Sequence, residues 1–228
     1  MHQNVMIMLM QQLSTLPLPQ KVAASILPII FAITFHEAAH GYVAKHFGDT
    51  TAYMLGRVSL NPLRHIDPIG TILLPLMTML FGGILFGWAK PVPVNFNQLR
   101  NPKKDMLWVA LAGPMSNLIM AIFWALIIRV VILVPNNDFI SLPLAYMGAA
   151  GVLINCSLMA LNLLPILPLD GGRIAVSLLP HRIAYKYSRL EPYGMILLLI
   201  LLFTEVLGKI MWPLIGIFMS FISLLLGF

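Results

Sequence analysis

Two histidines and a glutamate in the segment His36-Glu37-Ala38-Ala39-His40 have the spacing of a metal-binding helix. On an α-helix the first and fifth residues lie one turn apart, displaced by about 40°, so both imidazoles can reach one ion from the same face. Neutral histidines are common zinc ligands, and a carboxylate beside them can take a proton from water that the metal polarises. The pattern predicts that His36 and His40 hold a metal and that Glu37 is a general base.

The motif lies at the far end of an apolar stretch. Residues 26–35 have the composition of the interior of a membrane span, where an unpaired charge costs on the order of 3 kcal/mol by insertion scales. A glutamate at such a position is a functional-site candidate by default. The setting therefore disfavours the alternative, a chance match on a solvated helix face.

The composition excludes a soluble domain. Of the 228 residues, 59% are hydrophobic and 10% are charged. Long apolar stretches joined by short loops predict an all-α polytopic membrane protein with about five to six transmembrane helices. The net charge of +6 comes from Lys and Arg residues scattered over short loops, which fits cytoplasmic loops and not a nucleic-acid surface. The single cysteine, Cys156, excludes an internal disulfide and a cysteine-based zinc site.

The chain is predicted to form one membrane domain with three parts. These are an N-terminal interfacial arm (1–21), a core (22–190) and a C-terminal transmembrane hairpin (191–228) that turns near Gly208. The core contains apolar segments at 22–47, 106–134 and 142–164, with a bare loop at 135–141.

Three further stretches of the core do not have the sequence pattern of a simple helix. Residues 69–86 are apolar, but Pro75 and Gly82-Gly83 interrupt them and both flanks are basic, which favours a re-entrant or broken segment. Residues 57–61 alternate between polar and apolar, and residues 90–96 are rich in proline and valine. Both predict short membrane-associated β-strands or extended edges.

A catalytic zinc site typically needs a third protein ligand, and Asp170 is the best candidate. Pro165 and Pro168 end the preceding apolar helix and force a rigid turn, while Gly171-Gly172 allows a close approach of the backbone. The carboxylate then emerges on the same side of the bilayer as the two histidines. A structural role as a turn or capping residue is the alternative for Asp170.

Three other residues are weaker candidates for the third ligand. On a continuous helix His46 would lie about 9 Å beyond His40 and on a different face, so an interfacial position fits it better. His65 and Asp67 can reach the same side of the membrane as the motif. Their alternative role is that of turn residues before Pro68.

Two stretches together resemble the signatures of site-2 proteases, the intramembrane zinc metallopeptidases of family M50. They are residues 36–40 and the segment Asn162-Leu163-Leu164-Pro165-Ile166-Leu167-Pro168-Leu169-Asp170-Gly171. The resemblance covers about residues 22–190, including residues 113–117 and 88–95, and corresponds to a minimal form without a PDZ or CBS domain. It implies one zinc ion per chain held by His36, His40 and Asp170, with Glu37 as general base. It also implies that Asn162 contacts the substrate or the oxyanion, although an asparagine here can equally hold the turn.

The expected function is that of an endopeptidase that hydrolyses peptide bonds within or near transmembrane helices, with membrane proteins as substrates. Basic loops at 88–104 and 173–189 place the active site nearer the cytoplasmic side of the cell membrane. A membrane zinc transporter using the same ligands is the alternative, but the ligands cluster at one depth and the chain has no histidine-rich loop. An inactive scaffold is disfavoured because the base and all candidate ligands are present.

Overall fold

The computed structural model describes residues 3–73, 90–133 and 138–227. These residues form nine α-helices: α1 (Gln3–Thr15), α2 (Leu18–His46), α3 (Thr51–Met54), α4 (Pro102–Leu133), α5 (Asp138–Asn162), α6 (Asp170–Leu178), α7 (His181–Ser188), α8 (Glu191–Phe203) and α9 (Val206–Leu226). Short 3-10 turns occur at Pro62–Arg64 and Phe96–Gln98, and a π-helical turn at Pro68–Leu73.

Within the described residues, four helices are long and apolar enough to cross a membrane: α2, α4, α5 and α9. The apolar helices α1 and α8 are shorter. This confirms the predicted all-α polytopic membrane protein. Residues 74–86 of the predicted re-entrant segment (69–86) lie outside the described residues, as does Trp88.

The core is formed where α4 packs along α5 and α2. The Trp124 side chain of α4 fits against Gly151 of α5, where a Cβ atom would lie 2.2 Å from the indole ring. Cys156 is buried in the same cluster, as expected for a small core residue. Helix α1 covers this cluster with Met6 and Leu9, both almost fully buried. The N-terminal arm is therefore a helix packed on the bundle.

Three predicted boundaries differ from the structure. Helix α2 begins at Leu18 and not near residue 22, because Pro19 in the first turn needs no hydrogen-bonded N–H. Helix α5 begins at Asp138, so residues 138–141 belong to a helix and not to the predicted loop. The C-terminal turn lies at Thr204 and Glu205, where Glu205 has a φ of 59°, while Gly208 lies inside α9.

The predicted β-strands are absent from the described residues. Residues 57–61 and 90–95 are irregular and do not pair with a neighbouring strand. In the second segment Pro91 and Pro93 have no N–H group to donate to a ladder. The N–H groups of Val92 and Asn95 donate instead to the side chains of Glu37 and Asp49, at 2.7 and 2.6 Å. Side-chain carboxylates thus accept the hydrogen bonds that a partner strand would accept.

Candidate metal centre and active site

Three predicted ligands meet where α2, α4 and α6 come together. The Nε2 atoms of His36 and His40 lie 3.1 Å apart. His36 Nε2 is 3.3 Å from Asp170 Oδ2, and His40 Nε2 is 3.4 Å from Asp170 Oδ1. The three ligand atoms lie within 4.8 Å of one another. Residues 130 or more positions apart in the chain therefore share one small, mostly buried site.

The outer ring nitrogens fix the tautomers of both histidines. His40 Nδ1 lies 2.7 Å from the carbonyl oxygen of Val109, and His36 Nδ1 lies 2.6 Å from Asn117 Oδ1. Both partners are acceptors, so each Nδ1 carries a proton and donates it. Each Nε2 is then left with a lone pair directed at the centre of the site, which is the form in which imidazole binds a metal.

A chain of hydrogen bonds fixes the orientation of Asn117. Its Nδ2 donates to Asn155 Oδ1 at 3.0 Å, and Asn155 Nδ2 donates to the carbonyl oxygen of Gly151 at 2.8 Å. Both asparagines are fully buried. The Oδ1 atom of Asn117 must therefore face His36. This relay ties the metal-facing imidazole on α2 through α4 to the backbone of α5.

The donor set fits a zinc ion. Two neutral imidazole nitrogens and one carboxylate are ligands that zinc accepts in catalytic sites, where a fourth position stays open. Asp170 Oδ2 is buried and forms no hydrogen bond within the described residues, although it lies close to His36 Nε2. Lone pairs that face each other at such distances repel unless a cation lies between them. His36, His40 and Asp170 would hold that ion.

The turn between α5 and α6 positions the Asp170 carboxylate beside the two histidines. Asp170 is the first residue of α6. A Cβ atom on Gly171 would lie 2.3 Å from the carbonyl oxygens of Leu163 and Leu164, so only glycine lets the helix start this close to the turn. The Tyr187 hydroxyl donates to the carbonyl oxygen of Pro165. Burial raises the pKa of Tyr187, which keeps the hydroxyl protonated as a donor.

An ion pair holds the first turn of α6. Arg173, three residues after Asp170, pairs with Glu191 at the start of α8. The ionised form of the Asp170 carboxyl group is the form that binds a metal.

Glu37 faces the segment that precedes α4. Its Oε2 accepts a hydrogen bond from the backbone N–H of Val92 at 2.7 Å. One carboxylate oxygen is thus fixed by the backbone. The bond also anchors residues 90–95 beside the two histidines, because Glu37 lies between them on α2.

The remaining candidates lie elsewhere. His46 is exposed and its ring contacts Phe47, as expected for a residue outside the site. His65 is buried and lies 2.8 Å from the carbonyl oxygen of Ser59, while Asp67 accepts from the N–H groups of residues 69 and 70 in the turn. Asn162 ends α5, and its Nδ2 donates to the carbonyl oxygen of Leu158. Its catalytic role stays a prediction.

The two asparagines behind His36 were not among the site residues predicted from the sequence. A usable signal exists, because a buried polar side chain within a membrane helix is costly and is a functional candidate by default. Asn117 and Asn155 both lie in long apolar helices. Their partnership depends on how α4 and α5 cross, which no local pattern encodes.

An alanine at Gly113 is expected to displace both histidines. A Cβ atom there would lie 2.4 Å from His40 Nε2 and 2.5 Å from His36 Cε1. Since glycine to alanine otherwise favours a helix by about 1 kcal/mol, the helix itself should not suffer. We expect zinc affinity, measured against a chelating dye, to fall at least about 10-fold. Gly216→Ala is the control, because nothing lies within 4 Å of its Cβ position. Equal zinc affinity in the two variants would contradict this packing.

Loss of the Asn117 amide is expected to weaken zinc binding about 10- to 100-fold, the usual effect of removing the partner of a metal-bound histidine. Asn117→Ala leaves His36 Nδ1–H without its acceptor. Asn117→Asp keeps an acceptor for His36 and should restore most of the affinity. Asn97→Ala, at an exposed position, is the control. The relay has no role if Asn117→Ala binds zinc as the parent does.

Comparison with known proteins identifies the family of the chain. The family model of "Peptidase family M50" matches residues 129–204. The chain is 38% identical over 193 residues to the Bacillus subtilis protein named "Putative zinc metalloprotease YwhC", covering 84% of this chain and 85% of that protein. It is 29% identical over 204 residues to the Mycolicibacterium smegmatis protein named "Putative zinc metalloprotease Rip2", covering 84% and 71% of the two chains. No solved structure matches. The chain therefore belongs to peptidase family M50 and is a zinc metalloprotease.

Proposed function

We propose that this metalloprotease hydrolyses peptide bonds within or near transmembrane helices of other membrane proteins. The observation that carries the proposal is the position along α2 of the two histidines of the centre. This helix is 29 residues long, and His36 lies about 15 Å from its C-terminal end at 1.5 Å per residue. A bilayer core is about 30 Å thick. With the C-terminal end of α2 at one membrane surface, the centre lies inside the bilayer, where it meets transmembrane helices and not soluble proteins.

Each residue of the centre has a separate role in this proposal. His36, His40 and Asp170 would hold one zinc ion, which would supply Lewis-acid polarisation of the substrate carbonyl and of water. Glu37 accepts a proton from the attacking water at the carboxylate oxygen that Val92 does not occupy. The water oxygen bonds to the carbonyl carbon, the C–N bond breaks, and Glu37 donates the proton to the leaving nitrogen. Asn162 contacts the substrate or the oxyanion.

Residues 92–94 are the proposed contact for an unwound substrate. Peptide groups in a transmembrane helix are hydrogen-bonded within the helix, so the substrate must unwind before cleavage. The Arg57 guanidinium donates hydrogen bonds to the carbonyl oxygens of Lys90 and Pro91, which fixes the start of this segment. The backbone of Val94 forms no hydrogen bond within the described residues, which leaves it available to pair with an extended chain.

The cytoplasmic side is the proposed side of access in the cell membrane. Basic residues follow the centre on α6 and α7, and others lie around the start of α4, at residues 100–104. The positive-inside rule places such loops in the cytoplasm. Water reaches the centre from that side in this arrangement, since hydrolysis consumes one water molecule per bond.

Cleavage of reporter helices by purified protein in lipid vesicles tests the proposal. The panel contains single-span reporters and a soluble peptide of the same sequence as one span, and mass spectrometry maps each cut. We expect cuts within or next to the span and none with Glu37→Gln. Cleavage of soluble peptides alone would contradict the intramembrane assignment. Zinc flux into vesicles that depends on Glu37, without any cut reporter, would favour the transporter alternative.

A further inference from the structure

A second site candidate lies beyond the C-terminal end of α2, separate from the metal centre. Here a cavity of about 520 Å³ opens to the surface between α3, the turn at Pro62–Arg64 and the start of the segment at residue 90. Three cationic side chains line it: Arg57, Arg64 and Lys90. The active-site chemistry uses none of these side chains.

The three cations of this cavity form no ion pair with a carboxylate of the described residues. Residues 74–89 and 134–137, outside the described ranges, contain no Asp or Glu in the sequence. Three cations around one cavity repel each other, and an anion between them removes that repulsion.

The two arginines are partly fixed by neutral carbonyl groups. One terminal nitrogen of Arg57 donates to the carbonyl oxygens of Lys90 and Pro91, at 3.0 and 3.2 Å. Arg64 donates to the carbonyl oxygen of Gly56. A guanidinium has five N–H donors, and Arg57 Nε is buried without a hydrogen bond within the described residues. The cations are therefore positioned while their charge and several donors stay available.

The rim of the cavity is apolar and exposed. Met54 is 78% exposed, Leu55 63% and Leu63 75%, and all three line the cavity. Large apolar side chains this exposed, next to cations and at the end of a membrane helix, are typical of a surface that meets lipid. A soluble anion would match the cations only, whereas a phospholipid matches both the cations and the rim.

We propose that this cavity binds the phosphate group of an anionic phospholipid, with Arg57, Arg64 and Lys90 as its contacts and with the acyl chains against Met54, Leu55 and Leu63. A phosphodiester bears one negative charge and accepts hydrogen bonds from several donors at once, as a guanidinium requires. The inference does not depend on the proposed substrates of the protease.

The test is lipid retention by the full-length protein in a neutral detergent, measured by native mass spectrometry with dioleoylphosphatidylglycerol and with dioleoylphosphatidylcholine. The cavity variant carries Arg57→Gln, Arg64→Gln and Lys90→Gln. The control variant carries Arg182→Gln and Lys186→Gln on α7 and Arg189→Gln directly after it; all three positions are exposed, and the net charge changes equally. We expect at least about 10-fold weaker retention of phosphatidylglycerol in the cavity variant, little change in the control, and weak phosphatidylcholine binding throughout.

Zinc content reports whether each variant is folded. Lys90→Gln alone, at an exposed position, should give a smaller loss of phosphatidylglycerol retention than the triple variant. Equal losses in the cavity and control variants would overturn the proposal in favour of general surface charge. Full competition by inorganic phosphate at the lipid's concentration would assign the cavity to a free anion. Unchanged retention, with slower cleavage only of reporters that carry an acidic residue, would make the cavity a substrate subsite.

Discussion

Glutamine in place of Glu37 is expected to abolish peptide cleavage while the protein keeps its zinc. Glutamine has nearly the same size and can still accept the hydrogen bond from Val92 N–H, so the fold around the site should not change. It cannot take a proton from water or return one to the leaving nitrogen. General acid and base catalysis together contribute about 100-fold to 10,000-fold, so we expect a fall in kcat of at least that size.

The measurement is the rate of reporter cleavage together with zinc content in the same preparation. Glu205→Gln makes the same chemical change at an exposed turn residue and should cleave at the parent rate. If Glu37→Gln cleaves within a few-fold of the parent, the general base is another group. If it loses zinc as well, Glu37 is needed to build the site, and the assignment of its role fails.

Alanine in place of Asp170 is expected to remove both zinc and activity. The substitution deletes the only carboxylate that faces the two imidazoles within the described residues. Loss of an outer hydrogen-bond partner already weakens metal binding about 10- to 100-fold, and loss of a ligand should exceed this. The two histidines alone would leave the ion with too few protein ligands for a catalytic site.

Competition with a chelating dye gives the zinc affinity of this variant. Asp67→Ala is the matched control, because Asp67 is the other carboxylate that the sequence offered as a third ligand, and it lies in a turn. We expect Asp67→Ala to bind zinc as the parent does. Tight zinc binding by Asp170→Ala, or loss of zinc from Asp67→Ala with its fold intact, would reverse the assignment of the third ligand.

The local sequence is sufficient to predict the ligands of the metal centre. The spacing of His36 and His40 determines that both rings leave one face of a helix, whatever surrounds it. Pro165, Pro168 and the two glycines after Asp170 likewise determine a tight turn and a close helix start. Such features depend on the chemistry of neighbouring residues, so they can be predicted before any tertiary structure is known.

The support of the centre depends on tertiary packing and could not be predicted in this way. The relay from His36 through Asn117 to Asn155 exists because α4 and α5 cross at one depth and in one register. The ion pair of Arg173 and Glu191 joins two helices whose relative position no local pattern encodes. Alternation at residues 57–61 predicted a strand, but a strand needs a partner strand, which local sequence does not reveal. Along residues 90–95, side-chain carboxylates and not a neighbouring strand accept the backbone hydrogen bonds.

The most direct test of the central claim is zinc titration of metal-free protein with cleavage of one membrane-anchored reporter as the readout. The protein is stripped with a chelator, transferred to lipid vesicles and supplied with zinc in fractions of an equivalent. We predict no cleavage at zero zinc and a rise that ends near one zinc per chain, with the cut mapped to the membrane span. Cleavage by the stripped protein, or a rise that ends only near two equivalents, would contradict the single-zinc centre formed by His36, His40 and Asp170.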